Sequence, residues 1–263
     1  MSATPFICCD LEGTCWDQGP LRPLQRQETE IIEIGAVRMT RDRVVVDEFQ
    51  TFVRPRRHPE LSAFCTTLTG ITQSEVEAAP ELPAAMAAFA AWIGDPDSVL
   101  VSWGAFDRNQ IRKDCRRWDV PHPLDLDLHV DAKEEYSEWA RAHRRGRHGR
   151  GLKAALAELE LPFTGSHHRA IDDARNLATV FARIRDTADL TPEARLALAV
   201  LQARGVHGTH VGHLRDHIAQ DVRRAEVLES PRPRQWWRRV QGELVRLGHA
   251  VRLPDGRGLA PAR

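Results

Sequence analysis

A short apolar, β-prone segment near the start of the chain, Phe6–Leu11, leads into two carboxylates, Asp10 and Glu12, two positions apart. Such a segment predicts a strand, and side chains at i and i+2 of a strand point to the same face. Two converging carboxylates are unfavourable unless a cation neutralises them, and hard oxygen ligands favour Mg²⁺ or Mn²⁺. A strand end with two solvated acids is the simpler interpretation, and a D-x-E match alone does not decide between the two.

The segments that follow predict an α/β or α+β sheet covered by helices. Ile31–Arg38 and Val44–Val53 have the pattern of two further strands joined by a turn, and Val99–Ser102 that of a short buried strand. Helical patterns are predicted for six segments, namely Thr72–Ala79, Leu82–Ile93, Asp107–Trp118, Lys133–Ala142, Leu152–Leu159 and Ala170–Ile184.

Two more groups of polar residues follow at the ends of predicted elements. Asp107 comes after the buried strand in VLVSWGAFD, where a helix should begin, and an ordinary helix N-cap would explain it. SHHRAIDDARNLATVF places histidines before an amphipathic helix and paired aspartates early in it, and capping with a solvated histidine would explain these too. The three signals in this order, each at a strand or helix end, together favour one shared site.

These segments resemble the three motifs of the DEDDh (DnaQ-like) 3′→5′ exonucleases. DLEGTC resembles the first, WGAFD the second and HHRAIDDA the third, in which a histidine precedes the last metal-binding aspartate by five residues. That spacing fits His168 with Asp173 and equally His167 with Asp172, and the surrounding letters match the family best with the first pair. The segment HPELSAFCTTLTGITQSEVEAAP and Cys15 are most similar to the branch that trims histone-mRNA and small-RNA 3′ ends. The resemblance covers roughly residues 5 to 186.

The resemblance implies an RNase H-like fold, a mixed five-stranded sheet flanked by helices, and hydrolysis with two Mg²⁺ or Mn²⁺ ions. In this scheme Asp10 bridges both ions, while Glu12 and Asp173 help to hold the ion that activates water. Asp107 acts on the second ion through water. His168 is the general base, because an imidazole with a pKa of ~6.5 can accept a proton at neutral pH.

The implied substrate is a nucleic acid with a free 3′ end, either RNA or single-stranded DNA. Six residues would hold its terminal nucleotide: Gly13 and Thr14 beside the sugar, Leu68 and Thr69 against the base or ribose, and Trp103 or Phe106 stacked on a base. Plain core packing is an equal interpretation for Trp103, Phe106 and Leu68.

The densest basic run of the chain is Arg141–Arg150, which includes Arg144 and Arg145. Because it lies between the second and third motifs, we expect it to clamp substrate phosphates. A solvated charged loop is the alternative interpretation.

The chain is expected to divide into an exonuclease domain, residues 1–187, and a smaller basic unit, residues 188–263. Residues 189–263 carry 13 arginines against 8 acidic residues, although the whole chain has a net charge of zero. Three helical patterns, Leu190–Arg204, His210–Gln220 and Arg234–Gly248, precede a β-prone segment and a DGR turn, an order that resembles a winged helix.

Two interpretations of this smaller unit stay open. In a nucleic-acid-binding winged helix, several arginines would meet phosphates, namely Arg238, Arg239, Arg246, Arg252 and Arg257. In a protein-contact module, Trp236 and Trp237 would pack on the catalytic domain or on a second subunit. The four histidines of this unit, His207, His210, His213 and His217, lack a cysteine or acidic partner that would complete a metal site, and exposed helix histidines are expected.

The cysteines and the lengths of the apolar segments indicate the cellular compartment. The five cysteines are odd in number and form no C-x-x-C pairs, which favours free thiols in a reducing compartment. The first residues have no basic n-region, and no apolar stretch reaches the ~20 residues of a membrane helix. A cytoplasmic protein without membrane contact is therefore expected.

The function predicted from the sequence is a metal-dependent exonuclease that releases 5′-mononucleotides from 3′ ends. A DNA proofreading subunit is one alternative, against which the DLEGTC and LTGIT segments argue. A catalytically silent nucleic-acid-binding scaffold is another, against which the five filled catalytic positions argue.

Overall fold

Strand β1 (Phe6–Gly13) is the central strand of a five-stranded sheet in the computed structural model, with the order β3-β2-β1-β4-β5. β2 (Ile31–Met39) pairs antiparallel with β1, and β3 (Val45–Phe52) pairs antiparallel with β2. β4 (Val99–Ser102) and β5 (His129–Asp131) continue the sheet in parallel on the other side of β1. The predicted mixed five-stranded sheet is thereby confirmed.

Helices cover this sheet and connect its strands. They are α1 (Ala63–Thr69), α2 (Gln73–Ala78), α3 (Leu82–Ile93), α4 (Phe106–Trp118), α5 (Ala132–Ala142), α6 (Leu152–Glu158) and α7 (Ala170–Ile184). The sequence patterns predicted all of them except α1. That helix starts where the Ser62 side chain accepts a hydrogen bond from Cys65 N and ends at Gly70, whose φ of 68° suits glycine.

The two faces of β1 have different neighbours. Ile7, Cys9 and Leu11 alternate onto one face, in the core cluster that also contains residues of α3 and α4. Phe6 lies on the opposite face, where its ring centroid is 5.1 Å from that of Phe181 in α7. Asp10 and Glu12 lie an even number of residues after Phe6 and therefore share its face of the strand. The carboxylates of β1 thus point to the face that α7 covers.

The structure describes residues 5–17, 28–40, 42–94, 98–142, 151–185, 209–210, 250–252 and 258–261. The chain divides into two compact units, Met1–Phe181 and Ala182–Arg263. All five cysteines lie in the described ranges as free thiols. No helix within these ranges has the length and apolar character that a membrane span requires.

Three short strands are described in the second unit. β6 (Thr209–His210), β7 (Ala250–Arg252) and β8 (Gly258–Pro261) form an antiparallel sheet with the order β6-β8-β7. The helices predicted for this unit lie outside the described residues, apart from His210, which ends β6. Trp236, Trp237 and the arginines at 238, 239, 246 and 257 lie outside them as well.

Candidate active site

The C-terminal half of β1 supplies two carboxylates to one face of the sheet. Asp10 is opposite Gly35 of β2, and Glu12 is opposite Glu33. Glu12 is buried, with only 8% of its surface exposed. The alternation of strand side chains therefore places these acids as the sequence predicted.

The first turn of α7 brings Asp173 to the same place. One ligand oxygen from each of Asp10, Glu12 and Asp173 lies within 4.8 Å of the other two. This close approach depends on Gly35, because a Cβ there would lie 2.1 Å from the carbonyl carbon of Ala170. A glycine in β2 thus lets the start of α7 lie directly on the strand beside Asp10.

Asp107, in the first turn of α4, has a different setting from the one expected of a helix cap. The residue at the N-cap is Ala105, which has no side-chain hydrogen bond, and Asp107 Oδ1 instead accepts a hydrogen bond from Leu11 N at 3.1 Å. Asp107 is buried and bound to β1, but it is not part of the cluster of Asp10, Glu12 and Asp173.

Burial raises the pKa of all four acids, and neighbouring negative charges raise it further. Burial is the larger cause of the raised pKa of Asp10, followed by the charges of Asp107 and Glu12. Burial and the charge of Asp173 raise the pKa of Glu12 to about 8. Burial raises the pKa of Asp107 to about 7, against hydrogen bonds from backbone amides that lower it. Burial also raises the pKa of Asp173. The site therefore disfavours its own negative charges unless a cation is present.

The carboxylates fit a hard divalent cation. Asp173 Oδ1 is buried and has no hydrogen-bond partner among the described residues, which is costly unless another group binds it. Asp10, Glu12 and Asp173 offer oxygen ligands only, the donor type that Mg²⁺ and Mn²⁺ prefer. These three residues could hold such an ion, and Asp107 lies close enough for its charge to raise the pKa of Asp10.

His168 lies at the edge of this cluster. Its Nδ1 is 3.8 Å from Glu12 Oε1, and its backbone N donates to Asp173 Oδ2 at 2.9 Å. The backbone of His168 has a φ of 64°, a left-handed conformation that is uncommon for a residue with a side chain. Burial and the neighbouring His167 lower its pKa from 6.5, so the ring is neutral at pH 7.

His167 and Asp172, the residues of the alternative register, have different surroundings from His168 and Asp173. His167 is exposed. Asp172 accepts a hydrogen bond from Ser166 N at 2.9 Å and pairs with Arg175 at 2.8 Å. His167 does reach Asp173, since His167, His168 and Asp173 form a second group of ligand atoms within 4.8 Å of one another. In neither group does Asp172 take part.

The residues expected to contact a terminal nucleotide differ in their exposure to solvent. Leu68 is 37% exposed and Phe106 52% exposed, so both are free to contact a substrate. Trp103 is half-buried, with its ring centroid 5.6 Å from that of Tyr136. Gly13 is half-buried, and a Cβ there would lie 2.6 Å from Thr29 Cγ2.

The two threonines of this set have buried side chains. The Thr14 hydroxyl accepts a hydrogen bond from Glu30 N at 3.0 Å. The Thr69 hydroxyl donates to Cys65 O and accepts from Ile71 N. Any contact of Thr14 or Thr69 with a substrate would therefore come from the backbone. Arg144 and Arg145, the expected phosphate clamp, lie outside the described residues.

Sequence reasoning missed a buried ion pair behind the site. Glu33 is completely buried in β2, and its carboxylate accepts hydrogen bonds from Arg169 and from Ala170 N, the latter at 3.0 Å. The pair fixes the start of α7 on the sheet next to His168. The available signal was a single acid within the apolar segment IIEIGAV, where a buried charge needs a partner.

Comparisons with known proteins agree with this geometry. The model of the exonuclease family described as RNase_T matches residues 7–181. "ERI1 exoribonuclease 2" of Homo sapiens is 31% identical over 205 residues, which cover 69% of this chain and 28% of that protein. "3′-5′ exonuclease Snipper" of Drosophila melanogaster is 29% identical, covering 72% of this chain and 75% of that protein. The chain spans less than half of the length of the first curated relatives that it matches.

A solved structure has the same fold. The nuclease domain of 3′hExo, described as a DEDDh family member bound to rAMP, superposes with a TM-score of 0.62 at 25% identity. The match covers 72% of this chain and 96% of that domain.

Proposed function

The chain belongs to the RNase_T exonuclease family, and we propose that it is a metal-dependent 3′→5′ exonuclease that removes nucleotides from RNA 3′ ends. The observation that carries this proposal is the convergence of Asp10, Glu12 and Asp173 within 4.8 Å, with His168 beside Glu12. These side chains come from the first strand and the last helix of the catalytic unit, and carboxylates that converge in this way are the usual setting of metal-assisted phosphodiester hydrolysis.

Asp10, Glu12 and Asp173 would hold divalent ions, Mg²⁺ or Mn²⁺, with Asp107 on the second of two. Bound ions of this kind supply an acidified water and offset the negative charge that develops on the phosphate. The protein's own part is to hold the three carboxylates with their ligand oxygens within 4.8 Å of one another.

His168 would accept a proton from the attacking water. The Glu12 carboxylate lies on the Nδ1 side of the ring, which favours the tautomer with the proton on Nδ1 and leaves Nε2 free to accept another. The lowered pKa of His168 supports this role, because a neutral ring is the form that accepts a proton.

Leu68 and Phe106, both exposed apolar side chains, would contact the terminal base, and Trp103 and Gly13 would contact the same nucleotide. A base stacked on an aromatic ring gains ~1–3 kcal/mol. Backbone groups at Thr14 and Thr69 would face the sugar, and Arg144 with Arg145 would bind phosphates farther along the strand.

RNA is the proposed substrate because the relatives point that way. Two of them are named as an exoribonuclease or as bound to rAMP. A DNA proofreading subunit receives no such support, and a silent scaffold would have no use for four acids whose pKa values are raised by burial and by neighbouring negative charges.

For the second unit we propose a winged-helix-like domain, residues 188–263, that follows an exonuclease domain, residues 1–187. The strand order β6-β8-β7 supports this, because in a winged helix the first strand pairs with the last and the two final strands form the hairpin called the wing. Arg252 in β7 would then lie on the wing, where it could meet a phosphate.

A time course on 5′-end-labelled single-stranded RNA tests the activity. With Mg²⁺ or Mn²⁺ we expect a ladder that shortens from the 3′ end, and with EDTA no cleavage. A circular RNA of the same sequence is the control, since it has no 3′ end. Cleavage of the circle, or a ladder that persists in EDTA, would refute the proposal.

A further inference from the structure

We propose that Cys15 and Cys65 are a peroxide-sensitive thiol pair, and that the disulfide they form links the two walls of the nucleotide pocket and slows turnover. The part that concerns the pocket rests on the proposed function.

The two thiols lie at the same small apolar cluster. Cys15, just after β1, is half-buried, and it packs on the small core cluster that contains the fully buried Cys65 of α1. Each thiol lies close enough to shift the pKa of the other. Both residues are free cysteines in the structure.

The backbone holds these sulfurs together. Ser62 Oγ donates to the carbonyl of Cys15 at 2.6 Å and accepts from Cys65 N at 3.0 Å, so one side chain ties both cysteines. Cys65 Sγ also donates to the carbonyl of Gly13 at 3.7 Å. When one sulfur of a pair fixed in this way is oxidised, the other sulfur is already close to it.

The chemical environment favours oxidation at this pair. Interaction with the Cys15 thiol lowers the pKa of Cys65 to about 7, whereas interaction with Cys65 and burial raise the pKa of Cys15, so Cys65 is the sulfur of the pair that ionises more readily. In contrast, burial raises the pKa of Cys115 to about 12. Cys115 is completely buried in the main core, where it is inert and serves as an internal comparison.

The proposed reaction consumes one hydrogen peroxide and two thiols. The peroxide reaches the pair from the side of Cys15, which is partly exposed. It oxidises the Cys65 sulfur, the member of the pair with the lowered pKa, to a sulfenic acid and leaves as water. The second sulfur then attacks the sulfenic sulfur, forms the S–S bond and displaces the hydroxyl group as a second water. Two electrons pass from the sulfurs to the peroxide oxygens, and a dithiol reductant returns them.

The cross-link would act on substrate binding because of where its ends lie. Gly13 and Thr14 precede Cys15 directly, whereas Leu68 and Thr69 follow Cys65 on the same short helix, to which the Thr69 hydroxyl is bonded. An S–S bond of ~2.05 Å is shorter than any hydrogen bond between two sulfurs. It therefore draws the two segments together, and a misplacement of about 1 Å at a reacting group costs up to ~100-fold in rate.

The test uses the full reduced chain, treated with hydrogen peroxide, quenched with N-ethylmaleimide and digested for mass spectrometry. We expect a disulfide-linked peptide that contains Cys15 and Cys65, a fall of RNA turnover on the order of tenfold, and recovery with dithiothreitol. Cys15→Ser, at the partly exposed position, should form no cross-link and keep its turnover after peroxide. Cys115→Ala should respond as the wild-type chain does.

Absence of the linked peptide, or a linked peptide with unchanged turnover, would overturn the inference. Loss of turnover in Cys15→Ser after peroxide would overturn it too, because the loss would then arise elsewhere. The mass measurement does not depend on catalysis. A chain that forms the cross-link yet cleaves no RNA in its reduced state would refute the exonuclease assignment and leave the thiol chemistry in place.

Discussion

Arg169 and Glu33 form an ion pair, with 3.2 Å between Nε and Oε2, in which Glu33 is completely buried. The pair joins β2 to the residue that precedes α7, one position after His168. A second ion pair joins α7 to the next strand of the sheet at the surface, since Arg175 of α7 pairs with Glu48 of β3, and both side chains are exposed. The two pairs offer a comparison between a buried and an exposed charge.

Glu33→Gln should destabilise the protein by about 2–3 kcal/mol, because Arg169 and the backbone N of Ala170 lose a charged acceptor in a dry site. Glu48→Gln should cost at most about 1 kcal/mol, as exposed pairs do. Urea denaturation of both variants measures the difference. Equal costs would mean that the buried pair does not hold α7 in place.

Gly35→Ala should be severely destabilising, at least ~2 kcal/mol, because its Cβ would lie 2.1–2.4 Å from backbone atoms of Ala170 and Ile171. Backbone atoms at a helix start cannot move aside without moving Asp173. Gly151→Ala is the control, since a Cβ there meets nothing within 4 Å. Thermal melting of both variants checks this, and a Gly35→Ala protein as stable as the control would contradict the close packing of α7 on β2.

The stability of the metal-free protein should fall as the pH rises. Glu12 has an ordinary pKa of 4.5 and a pKa of about 8 in the folded protein. Between these values the folded chain binds more protons than the unfolded chain, so the free energy of unfolding decreases with increasing pH. Melting temperatures in EDTA between pH 5 and pH 8 should show this decrease, and Mn²⁺ should reverse it at the upper end. A melting temperature that rises with pH in EDTA would contradict the raised pKa values.

His168→Ala should reduce turnover by ~10²–10⁴-fold, the usual contribution of a general base, while metal binding stays close to that of the wild type. His167→Ala should stay within about threefold. The pKa of His168 lies below 6.5, so wild-type turnover at saturating Mn²⁺ should decrease only as the pH drops below that pKa and the ring is protonated. Equal losses in the two alanine variants would contradict the distinct role of His168.

The sequence predicted the local geometry well where local rules decide it. The same-face placement of Asp10 and Glu12 follows from strand alternation, and the predicted bounds of α3, β4 and α7 agree with the structure. Contacts between distant segments were not predicted. Asp107 accepts a hydrogen bond from Leu11 N, 96 residues away, and no local pattern encodes such a bond.

Short elements were also beyond prediction. The helix Ala63–Thr69 contains three threonines in seven residues, and β-branched residues weaken the helical signal. The strand His129–Asp131 has three residues, too few for a periodic pattern. The buried hydroxyls of Thr14 and Thr69 could not be foreseen, because both bind backbone groups that only the folded chain brings near.

The choice between the two registers at the start of α7 tests the central claim most directly. Asp173→Asn removes one charge from the group that it forms with Asp10 and Glu12, whereas Asp172→Asn changes the neighbouring carboxylate that pairs with Arg175. The measurement is the single-turnover rate of 3′-end removal from RNA at saturating Mn²⁺. We predict a loss of at least ~100-fold for Asp173→Asn and a rate within about threefold of wild type for Asp172→Asn. Equal losses, or a larger loss for Asp172→Asn, would contradict the account.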